Sequence, residues 1–106
     1  MKTISREELK TKLDRGDPFK LVMVMPEWAY RAKHIPGSMA CITPEEAYAL
    51  LSPDDEIIIY CSDPACTNSI RAYEVLWQHG YRHLSHYAGG LLDWEAAGYP
   101  LEGESV

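Results

Sequence analysis

The stretch that decides the fold runs from Glu56 to Asn68 and reads Glu-Ile-Ile-Ile-Tyr-Cys-Ser-Asp-Pro-Ala-Cys-Thr-Asn. Its first six residues, 56–61, form the strongest strand signal in the chain, because the four residues 57–60 are all β-branched or aromatic. An unbroken apolar run is typical of a strand buried on both faces of a sheet. A polar loop comes next, and apolar residues then recur at helical spacing over residues 69–79. This order of strand, cysteine, loop and helix predicts a ligand site at the carboxyl end of a parallel strand.

The rest of the chain alternates helices and strands around this stretch. Ser5 with Glu8, and Thr43 with Glu46, form two capping-box patterns that mark helix starts. Helices are predicted over residues 6–15, 69–79 and 91–97, with shorter ones over residues 27–33 and after Thr43. Strands are predicted over residues 20–25, 56–61 and 82–87. The alternation predicts one α/β domain over residues 1–106, with a parallel sheet covered by helices on both faces.

Composition narrows the class of partner. The 106 residues contain 10 Lys and Arg against 16 Asp and Glu, a net charge of −6. Nucleic acids and anionic membranes both select clustered cations, so we expect neither as a partner. The amino terminus lacks an apolar leader and no stretch is long enough to span a membrane, so we expect a cytoplasmic protein. Three cysteines are too few for a disulfide scaffold and indicate thiols available for chemistry. No sequence feature calls for a cofactor, and we expect none.

Cys61 is the residue most suited to chemistry. It ends the apolar strand, so its sulfur should lie at the mouth of the crevice, and the helix over residues 69–79 points its amino terminus back at the loop. Free N–H groups and the helix dipole at that end stabilise a thiolate or a bound oxyanion. The alternative is that Cys61 is an inert, small apolar residue of the core.

Several short motifs, in order, resemble those of the rhodanese-like (sulfurtransferase) domain family over nearly the whole chain. They are His34-Ile35-Pro36-Gly37-Ser38, Ile57–Cys61, Gly80-Tyr81, and Tyr87-Ala88-Gly89-Gly90 with Trp94, Gly98 and Pro100. The resemblance implies a five-stranded parallel sheet flanked by helices. It also places Cys61 on the family's catalytic cysteine. In active members this residue takes a sulfane sulfur from a donor such as thiosulfate, becomes a persulfide, and passes the sulfur to a thiol or protein acceptor.

That chemistry needs hydrogen-bond donors around the sulfur. Backbone amides and hydroxyls of the loop could supply them, which gives as substrate-binding candidates Ser62, Asp63, Ala65, Cys66, Thr67 and Ser69. The sequence departs from the common family pattern, because Met23 and Met25 stand where an Asp and an Arg are usual. Its loop is also longer by about two residues and resembles a Cys-x4-Cys-x2-Ser variant of the family. An acidic loop without a cation is a poor host for an anionic donor.

Cys66 admits two interpretations. It could be a resolving thiol that attacks an oxidised or persulfidated Cys61 and forms a disulfide, provided that the two α-carbons approach to about 5.5 Å. It could also be a small residue that packs under the helix, and Cys41 is assigned no role. The departures from the family pattern motivate a second hypothesis, a catalytically silent module for protein binding or thiol redox sensing through Cys61 and Cys66.

Two other functions fit parts of the pattern poorly. Cys61, Cys66, His79 and His83 have the spacing of a two-cysteine, two-histidine zinc finger. Gly80 should end the helix between the two histidines, so no metal site is expected. A phosphatase loop of the form Cys-x5-Arg would need an arginine to bind phosphate, and Thr67 occupies that position.

Overall fold

Four parallel strands form the centre of the molecule, in the order β2-β1-β3-β4 across the sheet. A computed structural model describes residues 1–106. The strands are β1 (Lys20–Met23), β2 (Ser38–Ala40), β3 (Ile57–Tyr60) and β4 (Leu84–Tyr87). The helices are α1 (Arg6–Arg15), α2 (Glu27–Ala32), α3 (Pro44–Leu50), α4 (Asn68–Gln78) and α5 (Gly90–Ala96). The predicted α/β class and the helix-covered parallel sheet are confirmed.

The alternation of side chains along β3 divides the interior into two cores. Ile57 and Ile59 pack on one face of the sheet against Ala47 of α3 and Leu76 of α4. Ile58 and Tyr60 pack on the other face, where the main helical contributions come from Leu9 of α1 and Trp94 of α5. All four residues of β3 are fully buried, which explains why the strand is apolar on both faces.

The expectation of five strands was wrong. The amino-terminal segment lies beside β4 in the fifth position, but it makes a single parallel bridge, between Thr3 and His86. Two backbone hydrogen bonds hold it there, from the Ile4 amide to the His86 carbonyl and from the His86 amide to the Lys2 carbonyl. Ser5 already caps α1, so the segment turns into the helix before a ladder can form.

β2 is the strand that the sequence pattern did not predict. It has only three residues, with no β-branched side chain among them, and it pairs with β1 at the edge of the sheet. A buried network fixes its start, because the Tyr60 hydroxyl accepts a hydrogen bond from the Ile35 amide and lies 2.9 Å from the Ser38 hydroxyl. The His34–Ser38 motif is therefore anchored to β3, the strand that precedes Cys61.

The helix starts follow the sequence closely. Both predicted capping boxes form, at Ser5 with Glu8 and at Thr43 with Glu46. The longest helix, α4, has 11 residues. None of the helices combines the length and the apolar character that crossing a lipid bilayer requires.

Candidate active site

Cys61 directly follows β3 and lies at the carboxyl edge of the sheet. Its sulfur contacts the two residues that follow the neighbouring strand β1, at 3.7 Å from the Val24 carbonyl oxygen and 3.5 Å from the Met25 Sδ. The residue is only 2% exposed. At this edge of the sheet, the Cys61 sulfur thus contacts a backbone carbonyl and a thioether rather than a cation.

Cys61 and Cys66 form a disulfide in this structure. Their α-carbons are 6.3 Å apart, within the range that disulfides span. Cys61 is buried, whereas Cys66 is partly exposed. A reducing thiol therefore reaches the sulfur of Cys66 more readily, and attack there releases Cys61 as the thiolate.

Asp63 organises the loop between the two cysteines. Its Oδ1 accepts a hydrogen bond of 2.8 Å from the Ala65 amide, and its backbone carbonyl accepts one from the Cys66 amide. The Ser62 hydroxyl lies 3.5 Å from its Oδ2 and 4.0 Å from the Cys61 sulfur. Two of the amides predicted to serve a bound sulfur species are thus already occupied, and a carboxylate stands inside the loop.

The amino-terminal end of α5 supports the loop from behind. The amides of Leu91 and Leu92 donate to the carbonyls of Cys61 and Ser62, at 2.9 and 2.8 Å. Gly90 makes this approach possible, because a β-carbon there would lie 2.7 Å from the Cys61 carbonyl oxygen. Its φ of +70° also favours glycine.

Ser69 belongs to a buried polar pair below the loop. Its hydroxyl lies 2.7 Å from the Nε2 of His86, and both side chains are almost fully buried. Burial lowers the pKa of His86 below its usual value. The Ser69 hydroxyl thus joins the first turn of α4 to β4.

The His86 pair should make folding stability fall as the solution is acidified. A histidine whose pKa is lowered in the folded state takes up its proton first in the unfolded chain, so stability is lost as pH drops below about 6.5. We expect urea unfolding at pH values of about 7.5 and 5.5 to show a smaller acid loss for His86→Gln than for wild type. His83→Gln, which replaces an exposed histidine, should retain the wild-type loss. Equal acid losses in all three proteins would contradict this account.

The sequence-predicted site residues lie together on one loop and its following turn. Thr67 is exposed at the start of α4 and makes no side-chain cap, whereas Ser69 is directed to His86. Cys41 is elsewhere, as a buried free thiol whose pKa is raised to about 11 by burial and by Glu46. The zinc-finger spacing does not produce a cluster, because the sulfurs of Cys61 and Cys66 are joined to each other.

Three contacts of the site were missed from the sequence. Gly90 enters the sequence patterns above only as part of a family motif, although its missing side chain lets α5 meet the loop. Met25 and Val24 were not expected to touch the Cys61 sulfur. The Gly89-Gly90 pair was a usable signal for close backbone approach, but the strand-end contacts depend on register and have no local signal.

Comparison with known proteins places these features in a family. The family model described as "Rhodanese-like domain" matches residues 5–97. The HTH-type transcriptional regulator Rv0324 of Mycobacterium tuberculosis (strain ATCC 25618 / H37Rv) is 33% identical over 101 residues, which cover 93% of this chain and 44% of that protein. The chain thus spans less than half the length of this relative.

Two solved structures are similar over almost the whole chain. The BH2092 protein from Bacillus halodurans has a TM-score of 0.89 at 26% identity, covering 98% of this chain and 78% of that one. The rhodanese-like domain of the Alr3790 protein from Anabaena sp. has a TM-score of 0.88 at 28% identity, covering 99% and 81%. With the parallel sheet and with Cys61 at its carboxyl edge, these matches show that the chain belongs to the rhodanese-like domain family.

Proposed function

We propose that the chain is a sulfurtransferase in which Cys61 carries a sulfane sulfur as a persulfide. The observation that supports this most is the position of Cys61, at the carboxyl end of the central strand β3 and at the start of a loop leading into α4. The fold neighbours and the family match support the same chemistry at the level of the family. Ser62, Asp63, Ala65, Cys66, Thr67 and Ser69 remain the proposed substrate-binding set.

The reaction begins with reduction of the disulfide. A thiolate of an external dithiol attacks the Cys66 sulfur and the electron pair of the broken bond leaves with Cys61, after which the second thiol frees Cys66 and the dithiol becomes a disulfide. The Cys61 thiolate then attacks the outer sulfur of thiosulfate, whose sulfur–sulfur bond breaks to release sulfite. An acceptor such as cyanide or a thiolate takes the terminal sulfur and restores the Cys61 thiolate.

Turnover provides the first test of this proposal. Thiocyanate formation from thiosulfate and cyanide should be measured for protein pretreated with a dithiol and for the disulfide form. We expect activity only after reduction, since the disulfide occupies the nucleophile. Equal activity of the two forms would overturn the proposal. So would a reduced protein that is inactive both with thiosulfate and with an organic persulfide as the sulfur donor.

Asp63 should limit the use of an anionic donor. Its carboxylate lies in the loop that would receive the donor, and like charges repel there. We expect Asp63→Asn to raise kcat/KM for thiosulfate by about two- to tenfold, because the amide oxygen still accepts from Ala65 while the charge is removed. The gain should shrink at high salt. Asp54→Asn, which removes an exposed carboxylate from another loop, is the matched control and should change little.

A second candidate function is thiol redox sensing, which the Cys61–Cys66 disulfide specifically favours. Both thiols would be oxidised by a peroxide. One thiolate attacks the peroxide and becomes a sulfenic acid, and the other displaces water to close the disulfide. A relative of this chain, the transcriptional regulator from Mycobacterium tuberculosis, contains such a domain in less than half of its length, which supports a regulatory use of the domain.

A thiol count tests this second function. Fully reduced protein should show three free thiols, and mild peroxide should leave only Cys41. Three free thiols after peroxide treatment would exclude the sensing role and leave the sulfurtransferase proposal untouched.

A further inference from the structure

An apolar cavity of about 310 Å³ lies between α3, α4 and one face of the sheet. Ten of its fourteen lining residues are hydrophobic. They include Val22, Val24, Ile59, Ala47, Ala72 and Leu76. Its volume falls within the range of small-molecule sites, and walls of this kind favour an apolar ligand.

Arg71 gives this cavity a charge. The residue lines the cavity from the first turn of α4, is exposed to solvent, and takes part in none of the ion pairs of the molecule. On α3, the carboxylate of Glu46 accepts hydrogen bonds from the amide and hydroxyl of Thr43 and does not line the cavity. An unpaired guanidinium beside apolar walls is complementary to a ligand with one anionic group.

The cavity adjoins the candidate active site through Val24 and Asn68. Both residues line it, and the Asn68 side-chain amide donates to the Val24 carbonyl oxygen at 3.4 Å. The same carbonyl oxygen is 3.7 Å from the Cys61 sulfur. The backbone of Val24 therefore lies between a molecule in the cavity and the Cys61 sulfur.

We propose that this cavity binds a small organic anion with an apolar body, of the class of a medium-chain aliphatic carboxylate. The carboxylate of the ligand pairs with Arg71, and its aliphatic chain lies among the side chains of Val22, Ile59 and Leu76. A polyanion would bring several charges against apolar walls, and an uncharged ligand would gain no ion pair with the Arg71 guanidinium, which water hydrates when the cavity is empty. The inference does not depend on sulfur transfer, and each can fail without the other.

Calorimetric titration of the disulfide form with octanoate and with octanol tests the charge. We expect octanoate to bind more tightly, and Arg71→Gln to weaken octanoate binding by about three- to fivefold while leaving octanol binding unchanged, since an ion pair with an exposed arginine is a modest one. Arg15→Gln is the matched control. Arg15 lies in the last turn of α1 and does not line the cavity, so this variant should bind octanoate like wild type. Octanol binding as tightly as octanoate, or an Arg71→Gln protein with unaltered octanoate affinity, would overturn the proposal.

Cys41 provides an independent readout of the location. It lines the cavity and is the one free thiol of the disulfide form. Saturating octanoate should slow the alkylation of Cys41 at least about threefold, because the cavity is then occupied in most molecules and the reagent cannot reach the thiol. An unchanged alkylation rate at saturating octanoate would place binding elsewhere and overturn the proposal.

Discussion

Replacing Cys61 by serine is expected to reduce sulfur transfer by at least about a thousandfold, because a hydroxyl at this position can neither ionise as readily nor carry a persulfide. Replacing Cys66 by serine is expected to preserve transfer and to remove the need for a reductant, since no disulfide can then occupy Cys61. Thiocyanate production by the two variants, each with and without a dithiol, measures both effects. The two cysteines belong to one disulfide, but under the proposal Cys61 is essential for sulfur transfer and Cys66 is dispensable.

Cys41→Ser is the control for these two variants. Cys41 lies away from the loop and contacts the Thr43 carbonyl, so its loss should leave transfer unchanged. A Cys66→Ser protein as inactive as Cys61→Ser would show that both sulfurs are required for turnover. That outcome would contradict a mechanism in which Cys61 alone carries the sulfur.

Gly90→Ala is expected to lower the free energy of unfolding by more than about 2 kcal/mol and to impair transfer as well. An alanine at the positive φ of Gly90 costs about 1–2 kcal/mol. In addition, its β-carbon would lie 2.7 Å from the Cys61 carbonyl oxygen and 3.0 Å from the Asp63 amide nitrogen. Relief of this overlap must displace either α5 or the loop.

Gly16→Ala isolates the conformational part of that cost. Gly16 has a φ of +71°, close to that of Gly90, but no atom lies within 4 Å of a β-carbon placed there. We expect Gly16→Ala to lose only about 1–2 kcal/mol in urea unfolding and to keep full transfer activity. Equal losses of stability and activity in the two variants would show that contact between Gly90 and the loop is unimportant.

The parts of the fold that have a strong local signal could be predicted from sequence. The apolar run of β3 and the two capping boxes gave the central strand and two helix starts, because burial on both faces and backbone capping each select particular residues. β2 was missed, since three edge residues carry too short a pattern. The fifth strand was expected from family resemblance, whereas here the segment before Ser5 is limited to one bridge.

The position of the candidate site could be predicted from the sequence, but the contacts that shape it could not. Cys61 ends the strongest strand, so its place at the sheet edge follows from the α/β pattern. The contacts that shape the loop come from distant segments, namely Val24 and Met25, which follow β1, and Leu91 on α5. Such contacts depend on strand register and helix docking, which no local pattern of residues encodes.

The central claim is that Cys61 accepts a sulfane sulfur, and intact-protein mass spectrometry tests it most directly. Protein reduced by a dithiol, freed of the reductant and treated with thiosulfate or an organic persulfide donor should gain the mass of one sulfur. Peptide analysis should place that sulfur on Cys61, and a later addition of cyanide should remove it. No gain in mass with either donor, or a sulfur found only on Cys66 or Cys41, would contradict the account.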